Sequence, residues 1–266
     1  MKYSGIPFHI YWFSGTGNTL IIALEIRDTL LKYGCEVKLY PIDKTDPKTI
    51  DQNAIIGFVV PVAGQSTYPF IWEFISDLPK VNNTACFFVD TLGYYSGGIL
   101  GPVKHILKRK GFIPLAAKEI LMPNNFQKMK SRPEKEMKII EKGKVKVRKF
   151  CEKLLTGKGT WWDIPVYSSF LSLMYRHRPL VNIFKKILPF VIDKDKCTQC
   201  GICIDLCPEK SLTMDETIGI PVNNSNCTLC LRCFAYCPTH AIYIGSKKAV
   251  PYKALALKEL TTYLNQ

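Results

Sequence analysis

Eight cysteines in the C-terminal part of this 266-residue chain have the spacing of iron–sulfur ligands. Cys197, Cys200, Cys203 and Cys207 form a Cys-x-x-Cys-x-x-Cys-x-x-x-Cys run closed by Pro208. Cys227, Cys230, Cys233 and Cys237 repeat it, closed by Pro238. Three thiolates at two-residue gaps can wrap one face of a [4Fe-4S] cube, with the fourth ligand coming from elsewhere. Zinc also takes four-cysteine sites built from Cys-x-x-Cys pairs. Such a site seldom needs three even spacings, a fourth cysteine before proline and a duplicate nearby. After each Cys-Pro, Glu209-Lys210-Ser211-Leu212 and Thr239-His240-Ala241-Ile242 return a small residue and an aliphatic one, which would wall a cluster off from water. Gly201, lacking a side chain, lets backbone N–H groups approach cluster sulfurs.

A second group able to do chemistry lies near the start: Ser14-Gly15-Thr16-Gly17-Asn18-Thr19. It follows the strand-like run His9–Phe13 and leads into helical apolar spacing from Leu20 to Tyr33. Strand, small polar loop and helix aim backbone N–H groups and a helix N-terminus at a phosphate. The loop has three hydroxyls and no lysine, so it is not a Walker A loop, and Leu20 stands where a dinucleotide fingerprint needs its third glycine. Hydroxyls and N–H groups without a cation suit a terminal monophosphate, which points to FMN rather than ATP or NAD.

The elements that must position these groups alternate. Strands are expected at Glu36–Tyr40, Ala54–Val60, Ala85–Val89 and Phe112–Leu121, and helices at Pro69–Ser76, Gly98–Lys110 and Pro133–Leu155. The length suits two domains. The expected division is 1–156, an aromatic linker over 157–191 packing across both domains, and 192–266 including a C-terminal extension. Tyr94 and Tyr95 are candidates to stack on a flavin ring. His9, His105 and His177 read as structural, and Cys35, Cys86 and Cys151 as buried small apolar groups.

From Ile192 onward the chain resembles the bacterial two-cluster ferredoxin. In such proteins the fourth cysteine of each run ligates the other cluster. The resemblance therefore implies Cys197, Cys200, Cys203 and Cys237 for one [4Fe-4S] cluster, and Cys227, Cys230, Cys233 and Cys207 for the other. Residues 6 to 156 resemble a flavodoxin, which implies an α/β doubly wound parallel sheet of order 2-1-3-4-5 with FMN at the carboxyl ends of strands. Besides Ser14–Thr19, the implied flavin contacts are Pro61, Val62, Ala63 and Gly64, then Thr91, Leu92, Gly93, Tyr94, Tyr95 and Gly98. Nearly the whole chain is similar to the fused flavodoxin/ferredoxin family, which implies electron transfer in anaerobic or archaeal metabolism. Two functions follow from that. The chain carries electrons between FMN and two clusters, adapting one-electron carriers to a two-electron donor or acceptor. Alternatively, it reduces a small acceptor (quinone, disulfide or oxygen) at FMN, fed by the clusters.

The formal net charge is +14. Two clusters with their thiolates, at about −2 each, and a phosphate would bring it to about +8. The excess gathers between Lys128 and Lys153, including Lys130, Arg132, Lys135, Lys138, Lys142, Lys146 and Lys149. This reads as a solvated helix face, or as a docking surface for an acidic redox protein such as a ferredoxin-like carrier, or for an anionic membrane surface. No nucleic-acid motif accompanies it. Thiolate clusters imply a reducing compartment. With neither a signal-peptide pattern nor a membrane-length apolar run, a cytoplasmic location without membrane association is expected.

Overall fold

Five strands form a parallel sheet in the computed structural model, which describes residues 3, 5–95, 98–126, 128–162, 178–224 and 226–265, without the side chains of Leu180 and Phe184. The strands β1 (Phe8–Trp12), β3 (Ile55–Pro61) and β4 (Thr84–Leu92) are almost wholly buried. Continuous apolar runs such as these belong in the middle of a sheet covered on both faces. The edge strands β2 (Val37–Pro41) and β5 (Phe112–Leu121) mix buried with exposed positions. The order is β2-β1-β3-β4-β5, with Phe8 opposite both Val37 and Ile55 and with Val60 opposite Asp90. The chain reverses its direction of winding between β1 and β3, and ligands gather at such a switch point.

Helices α1 (Asn18–Lys32) and α4 (Pro133–Leu155) pack on one face through Leu20, Ile22, Ile26, Val147, Phe150 and Leu154. Helices α2 (Pro69–Asp77) and α3 (Leu100–Arg109) cover the other through Ile71, Trp72, Val103 and Leu107. Ile140, Gly143, Val147 and Cys151 of α4 recur at three and four residues and face the core, while Lys135, Lys138, Lys142 and Lys146 are exposed. The basic run is the solvated face of this helix. Cys86 and Cys151 are buried, but Cys35 is only half-buried, contrary to expectation. It sits in the turn after Gly34, where the chain leaves α1 at the sheet edge.

The C-terminal part begins with α5 (Arg178–Ile187) and continues with two antiparallel pairs. Strand β6 (Phe190–Ile192) pairs with β9 (Ile242–Ile244), and β7 (Leu212–Asp215) with β8 (Ile220–Asn223). Short helices α6 (Ile202–Asp205) and α7 (Arg232–Tyr236) carry the third cysteine of each run. The extension ends in α8 (Leu257–Leu264), whose Leu260 and Leu264 join the core formed by α1 and α4, as do Leu206, Ala235 and Tyr236. One apolar core thus runs from the parallel sheet into the cysteine-rich part.

The start of the linker lies along β5: Ala117 N–H donates to the Thr160 carbonyl at 2.9 Å, and buried Trp161 donates its ring N–H to Leu100 at 3.1 Å. Where the linker resumes, Arg178 reaches Glu73 of α2 at 2.8 Å and Glu209 at 3.2 Å. Residues 163–177, with His177, lie outside the described residues, as do Ser96 and Gly97. Among the described residues no helix is long and apolar enough to cross a membrane.

Candidate functional site

The two cysteine runs fold with the same backbone. Gln199 and Leu229 both have φ near 57°, Gly201 and Leu231 have φ 75° and 66°, and Lys210 and His240 have φ 47° and 54°. Positive φ at three matched places turns consecutive N–H groups inward, the arrangement that holds anionic sulfur. Gly201 eases this left-handed turn rather than a close approach, since among the described residues nothing beyond its chain neighbours stands within 4 Å of where its Cβ would be. Leu231 takes the same turn with a full side chain.

The fold brings the cysteines together across the runs. Cys207, from the first run, lines one cavity with Cys227, Cys230 and Cys233. Cys237, from the second, lines another with Cys197, Cys200 and Cys203. Among the described residues no three metal-ligating groups stand close enough for a single ion. The sulfurs line two separate cavities instead, four cysteines to each. The donor set fits a cluster rather than a lone ion. The N–H groups of Ser211 and Ala241 donate to the sulfurs of Cys207 and Cys237, each at 3.3 Å. Burial pushes the Cys230 thiol up to about 12 and Cys203 up to about 11, and the Arg232 guanidinium pulls Cys230 the other way. Cys200 is exposed, so the first set opens toward solvent.

Within Ser14–Thr19, Gly17 at φ 95° caps α1, whose first residues are Asn18 and Thr19. The loop's hydroxyls are positioned from several directions. Ser14 Oγ accepts from Gly17 N–H at 3.0 Å, Thr19 Oγ1 stands 2.7 Å from Thr91 Oγ1, and Asn125 Nδ2 donates to Thr16 Oγ1 at 2.8 Å. Asn18 donates to the Pro123 carbonyl and accepts from the Tyr252 hydroxyl, both at 2.8 Å. The loop borders a mostly polar cleft that also reaches Pro61, Val62, Thr91, Leu92 and Gly93. Hydroxyls, amides and the first-turn N–H groups of α1, which lack intrahelical acceptors, fit a phosphate monoester without a cationic side chain.

Not every expected residue lines this cleft. Gly17 forms the cap, and Ala63 and Gly64 belong to a tight turn in which Ala63 and Ser66 exchange hydrogen bonds at 2.8 and 2.9 Å. Tyr94 is 93 % exposed, Tyr95 is half exposed, and Gly98 lies in the bend just before α3. Tyr68, Met122, Pro123 and Asn125 line the cleft although nothing in their local sequence marks them. Next to Thr91, Asp90 is fully buried, and among the described residues neither carboxylate oxygen has a hydrogen-bond partner. Burial, and then the charge of Glu119, push its pKa well above the usual carboxylate range.

The two sites share a wall. A Cβ on Gly15 would stand 2.0 Å from the carbonyl oxygen of Cys230. Beside this contact, Arg232 is 1 % exposed and makes five hydrogen bonds. Nε and Nη2 donate to the Ser14 carbonyl at 3.1 Å, and Nη1 donates to Leu206 O at 3.2 Å. Asp43 accepts from Nη1 at 2.6 Å, and the guanidinium lies 4.5 Å from the centre of the Phe13 ring. The extension covers the loop's other side, with Ala254 N–H donating to the Thr16 carbonyl at 2.7 Å.

Residues 192–244 match the 4Fe-4S dicluster domain family. The N-terminal part resembles the Streptococcus pneumonia TIGR4 flavodoxin at 18% identity, over 56% of this chain and 97% of that one, with a TM-score of 0.43. It is similar to two-electron reduced Megasphaera elsdenii flavodoxin at 23% identity, over 52% and 98% of the two chains, with a TM-score of 0.38. A flavodoxin from the domain Archaea matches at 14% identity, over 56% and 99%, with a TM-score of 0.39. No curated protein matches the chain. A 4Fe-4S dicluster domain joined to a parallel sheet of flavodoxin order is consistent with a flavodoxin/ferredoxin fusion.

Proposed function

We propose that this chain is an electron carrier holding FMN in the Ser14–Thr19 cleft and two [4Fe-4S] clusters on the crossed cysteine sets. One set is Cys197, Cys200, Cys203 and Cys237, and the other is Cys227, Cys230, Cys233 and Cys207. The observation that carries this reading is the contact of Gly15 with Cys230, which joins a phosphate-type loop to a cluster-type loop with no side chain between them. Ser14, Thr16, Thr19 and Asn125 offer hydrogen bonds to a phosphate, while Val62, Leu92 and Gly93 offer apolar surface and backbone to a ring. When bound, FMN supplies two-electron capacity released singly, and each cluster passes one electron at a time.

The chain's own residues hold, shield and orient. Leu229, Leu231, Phe234 and Ile242 pack beside the cysteines and keep water from them. Exposed Cys200 marks the edge at which a partner protein would approach, and the solvated lysines of α4 suit an acidic carrier. The division into 1–156, 157–191 and 192–266 belongs to the same reading. The outward position of Tyr94 favours a second one, in which a small acceptor such as a quinone is reduced at an uncovered flavin.

Anaerobic photoreduction followed by addition of an acceptor tests the proposal. Rapid oxidation by a ferredoxin and slow oxidation by quinones, disulfides and oxygen are expected of a carrier. Fast turnover of a small molecule would replace it with the reductase.

A further inference from the structure

The two cysteine runs share their cysteine spacing and their positive-φ turns, but just before the third cysteine the apolar Ile202 of one corresponds to the cationic Arg232 of the other. Ile202 lines the cavity of Cys197, Cys200, Cys203 and Cys237, and Arg232 lines that of Cys207, Cys227, Cys230 and Cys233. Arg232 has no role in holding iron, yet it is among the largest fully buried side chains of the protein. A buried cation is costly unless paired, so its retention there needs a reason. Asp43 offsets part of its charge, but the ion pair is directional. The guanidinium lies against the Ser14 carbonyl and the cysteine cavity, and Asp43 belongs to the short helical turn after β2.

We infer that Arg232 makes the two clusters unequal, raising the reduction potential of the one held by Cys207, Cys227, Cys230 and Cys233, so that a single electron rests beside the phosphate loop. This rests on the proposed carrier function. A cluster gains one negative charge on reduction, and a fixed positive charge in a low-dielectric wall stabilises that state. The apolar Ile202 gives the other cluster no such help. Its exposed Cys200 then marks the cluster through which electrons enter or leave. Because the same guanidinium holds the Ser14 carbonyl by two hydrogen bonds, the favoured cluster is fixed in position against the cleft.

The test is a redox titration of the full holoprotein, followed by EPR and by NMR of the Ser14 and Thr16 amides. In the unaltered protein the EPR signal of the first reduced cluster, told apart from any flavin radical, should appear together with broadening of those amides, and that of the second cluster should affect them less. Arg232→Met should lower the potential of that first step and leave the other in place. Asp43→Asn, which removes the opposing charge, should raise it. An interface merely loosened by either change would shift both variants in the same direction. That result, or an unmoved first step in either variant, would overturn the inference. If Arg232→Met assembles no cluster, the sign of the Asp43→Asn shift decides alone. A preparation with iron and sulfide for two clusters but equal potentials contradicts this inference only. One without clusters contradicts the carrier reading itself.

Discussion

Gly15 and Cys230 meet so closely that the oxygen of one occupies the space where the side chain of the other would begin, 2.0 Å from the absent Cβ. The neighbouring atom is backbone and cannot swing aside. Gly15→Ala should therefore force the cysteine-rich part away from the phosphate loop. A loss of about 1–3 kcal/mol is expected for overpacking of this kind. Thermal unfolding of the holoprotein, with flavin release followed by fluorescence, would measure it. An unchanged melting temperature would mean that the two parts do not press together here.

The chemistry-bearing segments were legible because each is contiguous. Ser14–Thr19 and the two cysteine runs carry their donor types within a few residues, and the apolar runs of β1, β3 and β4 announce a doubly covered sheet. What local sequence could not show is the wall between them. Arg232 meets Ser14 across 218 residues and Asp43 across 189, and Tyr252 reaches Asn18 across 234. Such pairs leave no periodic trace. One available signal was an arginine in the second run where the first has Ile202. The spacing of Leu257, Leu260 and Leu264 in the extension was another, since an apolar helical stripe needs a partner surface.

Asp43→Ala should be among the most damaging single changes outside the cysteines. It leaves the Arg232 guanidinium buried without its carboxylate, a situation that costs about 3–5 kcal/mol. Adding Arg232→Met should restore part of that loss, since the unpaired charge goes with it. A double-mutant cycle by chemical denaturation would read the coupling. Additive losses would show that the pair is not acting as a pair.

Tyr252→Phe removes only a hydroxyl, but that hydroxyl donates to Asn18 Oδ1 at the head of α1. Leaving the amide oxygen buried and unsatisfied should cost about 1–3 kcal/mol. FMN binding to flavin-depleted protein should weaken in parallel, because Asn18 borders the cleft. Unaltered flavin affinity would separate the extension from the site.

Asp90 predicts a pH dependence. Its folded pKa is raised, so the folded protein holds the proton more tightly than the unfolded chain. Stability from this group is therefore present at low pH. It is lost as pH rises above the ordinary carboxylate value of about 3.9 toward the folded one. Asp90→Asn keeps the shape without the titration, so the variant should gain on the unaltered protein as pH increases. Denaturation at several values between about pH 5 and 8 would show a widening difference. A constant difference would place the charge elsewhere.

The union of a flavin with two clusters in one chain is tested most directly by the cofactor content of protein purified without oxygen. Iron and acid-labile sulfide should each approach about 8 per chain, with one FMN. Zinc in place of iron, about 4 irons per chain, or the lack of flavin in protein that retains its clusters would contradict it.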